Sequence, residues 1–306
     1  MPERDVLFGS SLGPWNGVDA GDVAGALGVV ARADRDGLDL FTLADHPYFG
    51  DKLDAYAALG FLLGRTTRIA GMVSVTNLAS RPAPVLARTI TSLSALSGGR
   101  VVLGLGAGAL WDMITRLGVP RLDPGAAVRA LEEAIILVRA LSGGGDPVTF
   151  DGEFYRVSDL DPAAVAAPPV WTGSGGPKSL AVTGRLADGW VPQGGADWLS
   201  TRYRQARPLI DEAAAAAGRD PSAIITVYNF GGRITPEPLL ATRGEDGRWI
   251  GGSARQWADE LTSAVLEHDA GGFVYRTTDD TPAAEAVARF AREIVPAVRE
   301  AVAASS

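Results

Sequence analysis

Strand-like and helix-like runs alternate along this chain from Val6 almost to its last residue. That alternation constrains the fold more than any single motif, because strands separated by helices of this length can pair only in parallel. Strands are predicted over 6–10, 38–43, 68–76, 101–105, 169–172, 189–192, 224–230 and 272–275. Helices are predicted over 19–35, 54–64, 82–96, 124–141, 177–186, 198–217, 254–267 and 282–303, the first with Asp19 as its N-cap. Eight such units in 306 residues predict one α/β domain over 1–306, a (β/α)8 TIM barrel rather than a doubly wound sheet. Two features interrupt the pattern: a small hairpin near 147–157, turning at Asp151-Gly152, and a long loop near 233–252. A loop of that length in a compact domain suggests a lid, with Trp249 covering the pocket.

Composition narrows the chemistry. The net charge is −8, which argues against nucleic acid and anionic membranes as partners. There is no cysteine, so disulfides, thiolate catalysis and zinc–thiolate sites are excluded. No apolar run approaches a membrane span and no signal-like segment opens the chain, so a cytoplasmic enzyme is the expectation. With two histidines and no acidic cluster, no metal site is expected.

In a barrel, functional residues sit at the C-terminal ends of the strands. After the second strand come Asp45-His46-Pro47, and a histidine there can transfer a proton near neutral pH. The other histidine, His268, reads as a helix cap. After the third strand come Ser74-Val75-Thr76-Asn77, which fit ordinary strand alternation. After the fourth comes Gly104-Leu105-Gly106-Ala107-Gly108-Ala109. This matches a dinucleotide fingerprint, but no acidic residue ends a following strand about 20 residues on, so close packing beside a flat ligand fits better. Trp111 and Trp15 are candidate walls of the mouth or ordinary packing.

After the fifth strand comes Gly173-Ser174-Gly175-Gly176-Pro177-Lys178. Glycines let backbone N–H groups close around an oxyanion, and Pro177 suits the first helical position, whose dipole adds positive charge. This is a phosphate cradle. Lys178 reads equally as a phosphate ligand or a solvated cation. The inventory is otherwise poor for self-sufficient chemistry, which points to a cofactor.

In this order, the runs Gly37-Leu38-Asp39 to Asp45-His46, Thr66-Thr67-Arg68-Ile69, Arg81-Pro82 with Leu86-Ala87-Arg88, Leu96-Ser97-Gly98-Gly99-Arg100 to Gly108, the 150–156 hairpin and Gly175-Gly176-Pro177-Lys178 to Ala187-Asp188-Gly189 resemble the luciferase-like flavin and F420-dependent oxidoreductase family. The resemblance covers nearly the whole chain. It implies a TIM barrel that binds F420, or alternatively FMN, at its C-terminal face. Ser174, Gly175 and Gly176, with Pro177 and Lys178, would hold the phosphate. Val73, Ser74 and Thr76 in a third-strand bulge, with a cis peptide placed at Val73-Ser74, would back the ring, which would also lie against Gly106, Ala107 and Gly108.

The Gly-Gly-Pro-Lys-Ser-Leu run is closer to the F420 branch. Compared with F420-type glucose-6-phosphate dehydrogenases, an expected glutamate is Ala109 here, and an expected lysine is missing from 192–195. Both departures argue against a phosphosugar. The implied activity is hydride transfer to or from a small organic substrate, with His46 exchanging the proton and Asp45 positioning it. An FMN monooxygenase using reduced flavin and oxygen is the second reading, and a non-catalytic flavin-binding protein the third. A separate flavin or F420 reductase and a second copy of the chain, as a homodimer, are the implied partners.

Overall fold

The computed structural model describes residues 6–12, 20–192 and 197–305. Asp19, Trp15 and the segment 193–195 lie outside them. Eight parallel strands close into a barrel: β1 (Leu7–Ser11), β2 (Leu40–Leu43), β3 (Ala70–Val73, resuming as Thr76–Asn77), β4 (Val101–Gly106), β5 (Val170–Thr172), β6 (Gly189–Trp190), β7 (Ile225–Gly231) and β8 (Gly272–Arg276). Leu7 is in register with Gly272 and Gly71 with Val101, so no edge is left open. Around it run α1 (Ala20–Arg35), α2 (Ala55–Leu63), α3 (Ala83–Ser97), α4 (Pro124–Ala140), α5 (Pro177–Leu186), α6 (Thr201–Ala216), α7 (Ala254–His268) and α8 (Ala283–Arg289). A π-helical turn, Phe290–Ile294, joins α8 to α9 (Val295–Ser305).

The strands are apolar on both faces because both are covered. Leu40, Met72, Val102, Trp171, Val227 and Val274 form a cluster of their own inside the barrel. Phe41, Val73, Leu103, Val170, Tyr228 and Phe273, which alternate with them, pack into the larger cluster shared with the helices. The interior is therefore a packed plug, and the free space lies above it.

Local chemistry sets most helix ends. The Asp54 carboxylate accepts from Tyr56 and Ala57 N–H, and Asp123 from Gly125 and Ala126 N–H. Pro124 and Pro177 open α4 and α5, and Gly98 closes α3 at φ 71°. His268 ends α7, as its context suggested.

Several expectations need correction. The hairpin pairs Val148–Asp151 with Arg156–Leu160, but Asp151 is in register with Arg156, so the turn runs over 152–155. The Glu133 carboxylate on α4 organises it by accepting from the N–H groups of Glu153, Phe154 and Tyr155 at 2.7, 2.9 and 3.2 Å. Trp198 is not the first residue of α6. The Ser200 hydroxyl caps Tyr203 N–H, and Trp198 packs edge-on to Tyr228, Phe230 and Phe273. The 233–252 loop carries strand pairing at its ends, Arg233–Thr235 with Gly251–Ser253. Trp249 is not in the wall of the cavity on the C-terminal face. It is buried edge-on against Trp257, 5.0 Å between ring centroids.

Candidate active site

A cavity of about 600 Å³ opens on the C-terminal face, over the half of the mouth that β2 to β5 build. Its wall comes from the segments after those strands: Asp45, His46 and Tyr48; Ser74 to Asn77; Gly106 to Trp111; and Gly173 to Gly176. The N-terminal turns of α4 and α5 complete it with Pro124, Ala127, Val128 and Ser179. Its size and composition suit a flat organic ligand.

Of the residues singled out in the sequence, Asp45, His46, Ser74, Thr76, Gly106, Ala107, Gly108, Ser174, Gly175 and Gly176 converge here. Val73, Pro177 and Lys178 are not in the wall. Val73 is buried in the barrel–helix core, because its side chain alternates to the outside of β3. Pro177 and Lys178 are exposed on the first turn of α5. None of the 233–252 loop lines the cavity.

The third-strand bulge holds a cis peptide at Ser74-Val75, one residue later than expected. Ser74 N–H still donates to Leu43 O at 2.7 Å, so the parallel ladder runs through Ser74 before it breaks. Beyond the break, two side chains pin the strand. The Tyr56 hydroxyl bonds Thr76 Oγ1 at 2.6 Å, and the Asp45 carboxylate accepts from Asn77 N–H at 2.9 Å.

Asp45 therefore anchors the bulge rather than the histidine ring. Its side chain is fully buried and also accepts from Arg81, at 3.2 Å. Arg81 in turn bonds Asp54, the cap of α2, and stacks 4.8 Å over the Tyr56 ring. One arginine thus ties β2, α2 and the bulge together. Burial opposes the Asp54 charge, but Arg81 and the helix N–H groups outweigh it and hold its pKa below the usual value.

His46 Nδ1 lies 2.7 Å from the Tyr48 hydroxyl. Burial pushes the imidazole pKa below its ordinary value, against the pull of Asp45. Burial, helped by Asp45, raises that of Tyr48. At neutral pH the pair is an uncharged imidazole beside a protonated phenol.

The glycines differ in what requires them. A Cβ on Gly104 would stand 2.2 Å from Val73 O, and one on Gly106 would stand 2.8 Å from Val75 Cγ2, so packing of β4 against β3 demands both. Gly108 needs its positive φ, 92°, and sits against the Trp111 ring. Gly175 has neither reason. Its φ is ordinary, and nothing lies within 4 Å of an added Cβ. Beside it the Ser174 hydroxyl is buried without a partner, and Asn77 Oδ1 is likewise unpaired on the same wall. The loop itself is rigidly held: Gly173 N–H donates to Leu105 O, Trp190 Nε1 to Ser174 O, and Gly176 N–H to Ser179 Oγ. A cradle with a fixed backbone and an unspent Ser174 hydroxyl as donor fits an anionic group at the start of α5.

Sequence reasoning missed Tyr48, Tyr56 and Trp190. Tyr48 carried a signal, an aromatic hydroxyl two residues from the histidine across Pro47. Tyr56 and Trp190 carried none, because their partners lie 20 and 16 residues away.

A parallel eight-stranded barrel with a cofactor-sized cavity at its C-terminal face defines the class: a TIM-barrel protein with its site where this fold places catalysis. The chain belongs to the luciferase-like monooxygenase family, whose profile matches residues 5–238. It is 30% identical over 203 residues to the F420-dependent glucose-6-phosphate dehydrogenase of Microbacterium testaceum, covering 64% of this chain and 60% of that one. It is 31% identical over 195 residues to the 5,10-methylenetetrahydromethanopterin reductase of Methanolobus tindarius, covering 63% and 56%. The chain thus spans under two thirds of the length of these curated relatives. Among solved structures, the F420-dependent tetrahydromethanopterin reductase of Methanopyrus kandleri superposes with a TM-score of 0.77 over 95% of this chain and 99% of that one. EDTA monooxygenase from Chelativorans does so with 0.80 over 97% and 94%. Both are 18% identical, a likeness of fold. No helix of the described residues is long and apolar enough to cross a membrane.

Proposed function

We propose that this chain is an F420-dependent oxidoreductase that moves a hydride between the deazaflavin and a small organic substrate, with His46 giving or taking the proton. The observation that carries this reading is the meeting, in one cavity, of an unspent anion cradle and an uncharged imidazole. Kinship with a dehydrogenase named for F420 supports the deazaflavin. FMN is the second reading, favoured by the family name and by the monooxygenase among the neighbours in fold.

In this proposal Ser174, Gly175 and Gly176 would hold the phosphate, and the Ser74–Asn77 bulge and Gly106–Gly108 would line the place of the ring. When bound, the deazaflavin supplies the hydride chemistry. The chain supplies the rest. Asp45, through Asn77 and Arg81, keeps the bulge in place. Val75, Leu110, Trp111 and Val128 give the wall apolar surface that displaces water. His46 holds or yields one proton at its ring. A homodimer, and a separate reductase that recycles the cofactor, remain part of the proposal.

The test is a fluorescence titration of the purified chain with F420 and with FMN. Tight FMN binding with indifference to F420 sinks the first reading. Reduced FMN, oxygen and a substrate panel then test the second by oxygen uptake. His46→Ala is expected to lower turnover by about 10²- to 10⁴-fold while cofactor binding is kept. Unchanged turnover removes the proton-transfer role.

A further inference from the structure

We infer that Tyr48 is the positioning residue for His46: its hydroxyl, 2.7 Å from Nδ1, occupies that nitrogen and leaves Nε2 as the atom that exchanges the proton. The inference rests on the reading of His46 as the proton-transfer group and adds which atom acts and what holds it.

The geometry begins in the sequence. Phe49 N–H donates to His46 O at 3.1 Å, closing a four-residue turn with Pro47 at its second position, where proline's fixed φ is favoured. The turn brings residues two apart onto one side. Phe49 then packs edge-on against both rings, at centroid distances of 5.9 Å to His46 and 4.9 Å to Tyr48. The carboxylate nearest in sequence does not orient the imidazole, since the Asp45 oxygens accept from Asn77 and Arg81. A histidine that transfers protons needs one ring nitrogen fixed so that the other works in a single tautomer. Here a phenol stands at the nitrogen that a carboxylate holds in other sites, as a donor where the carboxylate is an acceptor.

The protons follow from the surroundings. The groups whose charge reaches the ring are Asp45, which favours its protonated form, and Lys52, which disfavours it. Arg81 and Asp54 are joined to Asp45 in one network. Burial outweighs the carboxylate at the ring and keeps it neutral, while the phenol retains its proton. On this assignment Tyr48 O–H donates to Nδ1, and Nε2 carries the ring proton. In the proton-donating direction Nε2–H gives its proton to an oxygen of the substrate as Tyr48 O–H passes its own to Nδ1, so the ring stays neutral and the negative charge ends on the phenolate, which solvent reprotonates.

The chain has two histidines, so the imidazole nitrogens of ¹⁵N-histidine-labelled protein can be assigned with a His268→Gln variant. At pH 8, without cofactor, Nδ1 is expected at the shift of an unprotonated, hydrogen-bonded nitrogen and Nε2 at that of a protonated one. In Tyr48→Phe the Nδ1 signal should move towards that of a free lone pair. The kcat of the F420-loaded variant should fall about 3- to 10-fold with KM unchanged. Phe49→Leu, which removes ring packing but no hydroxyl, should leave Nδ1 an acceptor. A protonated Nδ1 in the wild type overturns the inference. So does an Nδ1 shift that ignores Tyr48→Phe or is lost equally in Phe49→Leu. The spectra are recorded on the chain alone, so they judge the Tyr48–His46 pair whatever the F420 titration returns, and that titration separately judges the proposed function.

Discussion

Gly175→Ala separates ligand binding from folding more cleanly than any other change at the site. The added methyl meets no protein atom within 4 Å, and the backbone φ is open to alanine. Folding should lose nothing. Alanine restricts the unfolded chain, so stability should hold or rise by about 0.4–1 kcal/mol. In the proposed cradle the same methyl would take space that an anion needs. Displacing a phosphate from one hydrogen bond to a charged oxygen costs about 1.5–3 kcal/mol, which is roughly 10- to 150-fold in affinity. The assay is a fluorescence titration of wild type and variant with F420, FMN and riboflavin, beside a urea melt of each. Weaker binding of the two phosphorylated ligands, unchanged binding of riboflavin and a melt no lower than the wild type's are expected. Equal affinity for F420 and FMN in both proteins refutes the cradle. A loss that extends equally to riboflavin places Gly175 against the ring instead of the tail.

Three further outcomes follow from the same contacts. Arg81→Met strands the fully buried Asp45 carboxylate and frees the bulge, and should cost about 3 kcal/mol or more in urea denaturation; under 1 kcal/mol refutes the network. Gly184→Ala sets a Cβ 2.3 Å from Ile210 O and 2.8 Å from Ala213 Cβ, prising α5 from α6; about 1–3 kcal/mol of stability should go, read as a lowered melting temperature. His46 is held below its ordinary pKa of 6.5. As pH falls, the unfolded chain takes up this proton first, so the stability from the neutral buried ring is complete above 6.5 and is lost between 6.5 and the lower folded value. The acid limb of kcat/KM should inflect below 6.5 in wild type and vanish in His46→Gln.

Much of the fold was legible because its signals are local. Pro177 marks a helix start within a residue of itself, and α5 begins there. The caps Asp54 and Asp123 and the left-handed Gly98 are equally local, although the first two were not read as caps. The hairpin turn slipped because Glu133, some 20 residues earlier, gathers three of its N–H groups. The long loop misled for a related reason. A loop of that length reads as a lid, but its Trp249 packs edge-on against Trp257. The cis bond fell one residue late because the strand ladder persists through Ser74.

The sequence by itself determined the parallel alternation, the barrel and the strand-end segments that line its C-terminal cavity. Those follow from periodicity and connection length, which no distant contact can alter. Only the tertiary structure decided which partner each polar group took. Asp45 bonds an arginine 36 residues away, not the adjacent histidine, and the histidine takes a tyrosine. It also decided which glycines serve packing and which one leaves open space. A buried charge takes whatever donor the closed barrel brings within about 3 Å, and closure sets those neighbours.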